Sequence, residues 1–315
     1  MTNSSVLCFG ELLIDMIATN TGSLIQADGF LKKFGGAPAN TACGLAKLGA
    51  NVAFMGKVGN DPFGHFLKQT LEENHVSTDH LVLSNLYPTT LAFVSLTEAG
   101  ERDFVFYKGA HDTIETRDLS LPKDLFLFHF GSLTQITDPA KKTTEFLLKQ
   151  AKKQKTIISY DPNIRESLWK DLSLARSIIL ETAQNVDIMK LNEEEALLLS
   201  GTKNIDAASR MLFSKNLDML CITLGSKGCY YKTKQFEGLV SSGMHVDAID
   251  TTGAGDAFNA GYIYALLKEH QMFSAMKQDH VEKLLKQANI IAALTTTKKG
   301  AITAFPTQKE LHTYL

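Results

Sequence analysis

The chain alternates short apolar runs with stretches of helical periodicity, and this alternation restricts its fold more than any other feature. The apolar runs are Val6–Gly10, Val52–Lys57, Leu125–Phe130, Thr156–Tyr160, Asp187–Leu191 and Met219–Leu224. Helical periodicity covers Ala39–Leu48, Pro139–Lys152, Leu172–Ala183 and Ile205–Leu217. Strands that are apolar throughout and separated by helices indicate a parallel sheet covered on both faces, an α/β fold. Ligands bind such folds at the carboxyl ends of the strands, so we expect the site there.

Two segments interrupt the alternation. Leu12–Phe34 has little helical periodicity, and Leu91–Lys108 is typical of two strands that turn at Ala99-Gly100. A hairpin inserted in an α/β fold can form a lid or a dimer clasp, and an antiparallel extension at the sheet edge fits the pattern equally well. We therefore predict one domain over residues 1–315, with a small β structure from about 12–34 and 91–108.

Composition excludes several classes of protein. Hydrophobic residues make up 44% and charged residues 21% of the chain, the balance of a soluble globular protein. A formal net charge of −2 with scattered basic residues argues against nucleic-acid binding. No apolar run approaches the roughly 20 residues that cross a bilayer. The four cysteines form no CxxC pair and the first residues lack a basic leader, so we expect a cytoplasmic protein that binds no membrane.

The segment "DTTGAGDAFNAG", Asp250–Gly261, carries the strongest chemical signal. Asp247–Asp250 is expected to end a short strand, and Ala257–Lys268 has the periodicity of a helix. Glycines at this turn would let backbone amides approach a ligand, and a helix N-terminus attracts anions. The same position should keep Asp256 ionised at neutral pH. An anion site beside a carboxylate suits phosphoryl transfer, and a simple helix cap is the alternative.

The same segment resembles the C-terminal signature of the ribokinase/PfkB sugar kinases. "GGAPANTACGLAKLGANVAFMGKVGNDPFG", Gly35–Gly64, resembles their N-terminal signature, and the likeness extends over essentially the whole chain. "FGELLID", "FHFGSLT", "SYDPNIRESLW" and "LNEEEALLLSG" are most similar to fructokinases. The resemblance implies a ribokinase-like fold, with a mostly parallel sheet between helices and a small β lid. It also implies phosphorylation of D-fructose by ATP to D-fructose 6-phosphate.

By this resemblance, one acid and one turn form the part of the site that holds the transferred phosphate, called here the phosphate end. Asp256 would be the general base, and Gly253, Ala254 and Gly255 would form the anion hole. The nucleotide would meet Asn192, Glu195, Thr223, Gly225, Ser226, Gly228 and Asn289. Glu195 would reach Mg²⁺ through water, and a divalent cation is needed because triphosphate and Asp256 are both anionic. Judged without the resemblance, "TLGSKG" (Thr223–Gly228) indicates a simple hairpin turn. The run "EEE" (Glu193–Glu195) is then typical of the acidic first turn of a helix.

Many members of this family also bind a monovalent cation beside the anion hole. The matching positions are Asp250 and Thr252, together with the backbone around Thr295, Lys298 and Gly300. Some relatives have a serine where this chain has Ala304, which removes one hydroxyl group. Binding of K⁺ is therefore left open.

The sugar end is implied by the same resemblance. The contacts would come from Asp15, Gly35, Gly36, Asn40, Phe93, Phe106 and Arg165. Asp15 would accept hydrogen bonds from two hydroxyl groups, and the two glycines would let the sugar approach the backbone. Phe93 and Phe106 would cover the sugar from the hairpin, or serve instead as interface or edge-strand hydrophobes. Arg165 would reach the cleft or lie on the surface.

Other activities remain open at this point. A kinase of 2-keto-3-deoxygluconate, ribose or a nucleoside is the alternative within the class, since Arg165 can pair with an acid sugar. A catalytically silent regulator that binds sugar or nucleotide is the alternative from another class. The expected partners are a small sugar and ATP, and hairpins that meet across a two-fold axis in this family imply a homodimer.

Overall fold

The computed structural model describes residues 5–96, 102–311 and 313–314, and within these ranges nine strands form one large sheet. Its strands are β1 (Val6–Phe9), β4 (Val52–Gly59), β5 (Ser77–Ser84), β8 (Leu127–Phe130), β9 (Ile157–Tyr160), β10 (Ile188–Asn192), β11 (Met219–Thr223), β12 (Cys229–Thr233) and β13 (Glu237–Val240). Their order is β13-β12-β11-β10-β9-β8-β1-β4-β5. Pairing is parallel from β5 to β11, while β12 and β13 are antiparallel.

Helices cover both faces of this sheet. They are α1 (Ala37–Lys47), α2 (Pro62–Glu73), α3 (Ala140–Gln154), α4 (Leu172–Ala183), α5 (Glu193–Ser200), α6 (Ile205–Leu212), α7 (Ala254–Glu269), α8 (Gln278–Thr296) and α9 (Gln308–Leu311). Successive residues of β1 point to opposite faces, so Val6 and Cys8 join the core beneath α1, α2, α7 and α8. Leu7 and Phe9 join the core beneath α3 to α6. The predicted α/β architecture with a sheet between helices is confirmed.

A smaller sheet stands apart from the large one. It contains β2 (Leu13–Ala18), β3 (Phe30–Gly35), β6 (Leu91–Leu96) and β7 (Arg102–Tyr107), in the order β3-β2-β6-β7. The strands β6 and β7 pair in antiparallel fashion, as expected for a hairpin. The turn predicted at Ala99-Gly100 lies outside the described residues. Because β2 follows β1 directly and β3 runs directly into α1, the small sheet is attached at the carboxyl end of a central strand.

Two local predictions are wrong. Asp247–Asp250 does not end a strand, because the amides of Ile249 and Asp250 donate to the Thr296 carbonyl at the end of α8 rather than to a neighbouring strand. The helix predicted over Ile205–Leu217 ends at Leu212, where Phe213 turns to an extended backbone and lets Leu217 enter the core before β11. Among the described helices, none has the length and apolar character needed to cross a bilayer.

Candidate active site

Asp256 lies in the first turn of α7, at the carboxyl edge of the large sheet. Gly253 is the N-cap of this helix, with a φ of 79° that favours glycine. A Cβ atom at Gly253 would stand 2.7 Å from the Cβ of Ala301, so the close approach of these two loops also requires glycine. The backbone from Gly253 to Gly255 therefore places the N-terminus of α7 beside a carboxylate, although the Ala254 amide donates to the Thr251 carbonyl at 3.2 Å. An anion hole at this turn stays a prediction.

The protonation of Asp256 differs from the sequence-based expectation. Burial raises the pKa of this carboxyl to about 7, and Asp161 contributes to the rise. The hydrogen bond from Asn40 and the charges of Lys190 and Arg165 act in the opposite direction and lower the pKa. The prediction that Asp256 stays ionised at neutral pH is therefore wrong for the ligand-free protein, because burial and the charge of Asp161 outweigh the groups that lower the pKa of Asp256. A group that titrates near neutrality is suited to accept and release a proton.

A buried ion pair that the sequence analysis missed lies beside this turn. Lys190, at the centre of β10, donates from Nζ to Oδ2 of Asp161 over 2.9 Å, and both side chains are almost fully buried. The same Asp161 oxygen accepts a hydrogen bond from Asn259 Nδ2 at 2.7 Å. A sequence signal was present, since Lys190 is the one charged residue among Ile188–Asn192, "IMKLN", and its neighbours on both sides are apolar. A charge in a strand covered on both faces must have a partner.

Four of the predicted sugar residues lie together between the small sheet and α1, namely Asp15, Gly35, Gly36 and Asn40. The Asp15 carboxylate lies against Gly35, where a Cβ atom would stand 2.3 Å from Oδ2. Gly36 is the N-cap of α1, and a Cβ atom there would stand 2.3 Å from the carbonyl oxygen of Glu11. Asn40 donates from Nδ2 to Oδ2 of Asp256 at 2.8 Å, and its own Oδ1 is buried without a protein partner. These contacts join the predicted sugar end to the predicted base.

Glu11 is a second residue that the sequence analysis missed at the sugar end. Its side chain is buried, and Oε1 accepts the amide of Ala37 at the start of α1 over 3.1 Å. Burial raises the pKa of this carboxyl, while its own backbone amide, Ala37 and the charges of His111 and Arg165 lower it. Glu11 thereby fixes the start of the helix that carries Asn40.

The two aromatic residues predicted to cover the sugar, Phe93 and Phe106, lie on opposite faces of the small sheet. Directly paired residues of adjacent strands point to the same face of a sheet. Asp15 pairs with Ala92, and Ala92 pairs with Phe106, so Phe106 shares the face of Asp15. Phe93 pairs with Met16 and Val105 and therefore points to the opposite face. The prediction that Phe93 covers the sugar is not supported by this register, since sequence alone does not fix how neighbouring strands align.

Arg165 lies in the loop after β9 and its side chain is exposed. Its positive charge lowers the pKa values of both Glu11 and Asp256, so the guanidinium faces the cleft between these two acids. Whether Arg165 contacts a ligand stays a prediction. An exposed guanidinium near these acids is suited to pair with a phosphate or carboxylate of a ligand.

The predicted nucleotide residues fall at two adjoining places. Thr223 ends β11 in register with Asn192 at the end of β10, and a short 3₁₀ turn over Gly225–Lys227 follows, with Ser226 exposed. Gly228 has a φ of 100°, and a Cβ atom there would stand 2.1 Å from the Val240 carbonyl oxygen. Asn289 donates from Nδ2 to the carbonyl groups of Val240 and Ser241, so its amide anchors the loop after β13. An adenine contact would have to use the remaining side of this side chain.

Comparison with known proteins identifies the family. The model of the pfkB family carbohydrate kinases matches residues 3–308. The chain belongs to this family. It is 40% identical to probable fructokinase-2 of Arabidopsis thaliana over 316 residues, 98% of this chain and 95% of that protein.

Two solved structures share the fold of this pfkB-family chain. A fructokinase of Vibrio cholerae O395 with fructose, ADP and calcium ion bound has a TM-score of 0.89 and 34% identity, and the match covers 99% of each chain. The fructokinase of Xylella fastidiosa with bound ATP also has a TM-score of 0.89, with 31% identity over 98% of this chain and 97% of that chain. Such likeness over full length confirms the ribokinase-like fold predicted from the two signatures.

The acidic side chains can accommodate Mg²⁺ only with help from a ligand. Across the described ranges, no group of three or more His, Cys, Asp or Glu residues is arranged to hold a metal ion. Both Glu195 oxygens accept backbone amides, from Ile164 at 2.7 Å and from Asn192 at 2.9 Å, while Asn192 Oδ1 caps the helix at the Glu195 amide. Mg²⁺ in nucleotide sites is held largely by phosphate oxygens and water, so one buried carboxylate suits it.

The positions predicted for a monovalent cation lie in the loop before α7, at the end of α8 and in the loop after it. The Asp250 carboxylate accepts the amides of Thr252 at 2.9 Å and Gly300 at 2.8 Å, which joins the loop before α7 to the loop after α8. The Thr295 hydroxyl donates within its own helix, and Lys298 pairs with Glu310, so their side chains point to other partners. Ala304 is buried at the position where some relatives have serine. Binding of a cation here would depend on backbone carbonyl groups, and it stays a prediction.

Proposed function

We propose that this protein is an ATP-dependent fructokinase, which converts D-fructose and ATP to D-fructose 6-phosphate and ADP. The observation that carries the proposal is the contact between Asn40 and Asp256, which joins a buried acid at a helix N-terminus to the side chains of the sugar end. Relatives named as fructokinases match nearly the full length of the chain, which supports the choice of sugar.

We assign the chemistry to direct transfer from ATP to the primary hydroxyl group of the sugar. The sugar is held by Asp15, Gly35, Gly36 and Asn40. Phe106 lies on the same face of the small sheet as Asp15. The carboxylate of Asp256 accepts the hydroxyl proton as the new P–O bond forms, which contributes about 10²–10⁴-fold to the rate. The amides from Gly253 to Gly255 stabilise the charge on the transferred phosphoryl group, and the broken P–O bond leaves its electrons on ADP.

The nucleotide would lie across the ends of β10 and β11. Hydrogen-bond donors along its phosphates would come from Asn192, Thr223 and the turn from Gly225 to Gly228, with Ser226 at the tip of the turn. Asn289 would lie beside the base. Glu195 would hold Mg²⁺ through water, and the ion when bound neutralises charge on the β and γ phosphate oxygens. Arg165 at the mouth of the cleft adds a second cation near the anions.

We propose that the small sheet acts as a lid over the sugar. It is attached through β2 and β3, which carry Asp15 and Gly35, so its movement would carry the sugar contacts with it. Closure of such an element excludes water from the phosphoryl group and limits the hydrolysis of ATP.

The substrate is tested by a coupled assay of ADP release with fructose, ribose, adenosine and ketodeoxygluconate. We expect the highest kcat/KM with fructose. If another sugar were preferred and fructose were inactive, the specificity would be wrong while the kinase class would stand. If ADP release were absent with every acceptor, a regulator that binds without catalysis would replace the proposal.

We further propose a homodimer formed through the small sheet. The face opposite Asp15 carries a groove of about 550 Å³, in which Phe30, Phe93, Val105 and Tyr107 are the main hydrophobic side chains. Tyr107 is 61% exposed in the single chain. Light scattering after gel filtration should give a molar mass twice that of one chain. In Tyr107→Glu, the measured mass should fall to that of a single chain. Leu239→Glu is the control, since Leu239 is 62% exposed on β13 of the other sheet and its replacement should leave the dimer intact.

A cytoplasmic location is also part of the proposal. All four cysteines are free and buried, which suits a reducing compartment. Fractionation of cells that express the tagged chain would test this location.

A further inference from the structure

Lys190 is a buried cation at the phosphate end of the site. Its side chain is 7% exposed, and the residue lies in the middle of β10, between two layers of helices. Burial lowers the pKa of a lysine, but the charges of Asp161, Glu195 and Asp256 outweigh burial and raise the pKa of Lys190 above its ordinary value. The ammonium group is therefore charged at any pH at which the protein would work.

The ammonium group of Lys190 lies next to the turn that forms the predicted anion hole. A Cβ atom at Gly255 would stand 2.9 Å from Lys190 Nζ, so only the absence of a side chain at residue 255 allows this approach. Gly255 directly precedes Asp256, and Lys190 is close enough to lower the pKa of that carboxyl. The cation thus lies close both to the turn and to the base.

Asp161 anchors the ammonium group in this position. Its Oδ2 accepts Lys190 Nζ and Asn259 Nδ2, and its Oδ1 accepts the amide of Asn163 at 3.2 Å. Asn259 is three residues after Asp256 on α7, so the same helix carries the base and one of the groups that hold Asp161. An ammonium group has three N–H donors, and Asp161 occupies one of them.

The excess of negative charge around Lys190 favours a cation at this end of the site. Asp161, Glu195 and Asp256 are three buried acids around Lys190, and the triphosphate of ATP would bring further negative charge to the same end. Backbone amides carry only partial charges, and Arg165 is on the exposed side of the cleft. A fixed and desolvated ammonium group stabilises developing charge more strongly than one in water.

We propose that Lys190 is a catalytic residue, whose ammonium group contacts the transferred phosphoryl group at the Gly253–Gly255 turn while Asp161 holds it in place. This assignment rests on the proposed phosphoryl transfer and adds a full positive charge to the anion hole. The ordinary alternative is a structural ion pair that only ties β10 to the loop after β9 and to α7.

Nucleotide binding separates the two roles without any sugar. Calorimetric titration of Lys190→Met with ADP and with the β,γ-imido analogue of ATP tests whether the cation reaches the γ phosphate. We expect affinity for the analogue to fall by about tenfold or more, as for the loss of a charged hydrogen bond, while affinity for ADP changes little. An equal change for both nucleotides, or no change for either, would overturn the contact.

A double variant protects the test against simple misfolding. Loss of one partner of a buried pair leaves an unpaired charge, whereas replacement of both partners by neutral groups is often tolerated. In Lys190→Met combined with Asp161→Asn, the new asparagine can still accept from Asn259. We expect this variant to melt within a few degrees of the wild type and to lose turnover by about 10²-fold or more, as for removal of an oxyanion donor. Recovery of turnover in the double variant would mean that the pair is only structural.

A pH profile excludes an indirect effect through the base. If Lys190 acted only by keeping Asp256 ionised, high pH would restore the turnover of Lys190→Met. We expect no recovery up to pH values well above the neutral range, and full recovery would overturn the proposal. These outcomes are distinct from a failure of the proposed function, because the sugar panel would then fail for the wild type while the nucleotide titrations would still decide the role of Lys190.

Discussion

Asn40 donates a hydrogen bond from Nδ2 to Oδ2 of Asp256 at 2.8 Å, although 216 residues separate the two in the chain. Asn40 lies near the start of α1 and Asp256 near the start of α7, on the same side of the large sheet. The contact brings the N-termini of two helices to one point at the carboxyl edge of the strands. It fixes the orientation of the carboxylate relative to the sugar end and stabilises its ionised form.

Replacement of the base is the first prediction. Asp256→Asn should lower kcat by about 10²–10⁴-fold, because the amide cannot accept the hydroxyl proton. Binding of ATP and of the sugar, measured by calorimetry, should be largely retained, since the residue keeps its size and its position at the helix start. Turnover within a few-fold of the wild type would exclude Asp256 as the base.

The pH dependence follows from the raised pKa of Asp256. The base works in its ionised form, and burial raises its pKa to about 7 in the ligand-free protein. We expect kcat/KM, which reports the free enzyme, to rise about tenfold per unit below that value and to level off above it. Initial rates from acidic to mildly alkaline pH would measure this limb. A flat profile down to pH values near the ordinary pKa of an aspartate would contradict the assignment.

Asn40→Ala should affect both substrate binding and this pH limb. The buried Oδ1 of Asn40 has no protein partner, so a sugar hydroxyl group is expected to donate to it, and its loss should raise the KM for sugar about tenfold. Removal of Nδ2 takes away a hydrogen bond that lowers the pKa of Asp256, so the limb should move to higher pH. Kinetics with saturating ATP measure both effects, and an unshifted limb would argue against the coupling.

Metal dependence provides a fourth prediction. EDTA should abolish transfer and added Mg²⁺ should restore it, because the triphosphate and the carboxylates of the site are both anionic and a divalent cation reduces their repulsion. Glu195→Gln should raise the Mg²⁺ concentration needed for half-maximal rate. Glu194→Gln is the matched control, since Glu194 is exposed in the same helical turn. If the two variants behaved alike, Glu195 would have no role at the metal.

Much of the fold could be predicted from the sequence, since local signals determine it. Continuous apolar strands separated by helices can be buried only in a sheet with helices on both faces, and the β10 and β11 segments were recognised on that ground. The two glycine-rich segments likewise marked the starts of α1 and α7, because an N-terminal turn that approaches a ligand requires glycine. Gly253 confirms this requirement with its left-handed backbone.

Other features depended on contacts between distant residues. The alternation of residues along the sequence predicts the strands of the small sheet but not their register. That register places Phe93 on the face opposite Asp15 and Phe106 on the face of Asp15. The ionisation of Asp256 depends on how deeply the folded chain buries it and on Asp161, Lys190 and Arg165, which come from other segments.

The sequence by itself determined the α/β architecture, the two glycine turns and the identity of the candidate base, because residue type and local spacing carry that information. Only the tertiary structure decided the electrostatics of the site. Lys190 is one polar residue in an apolar strand until the fold places its ammonium group between Asp161 and Gly255. Charges interact through space, with a strength set by distance and burial, and neither quantity can be read from the order of residues along a chain.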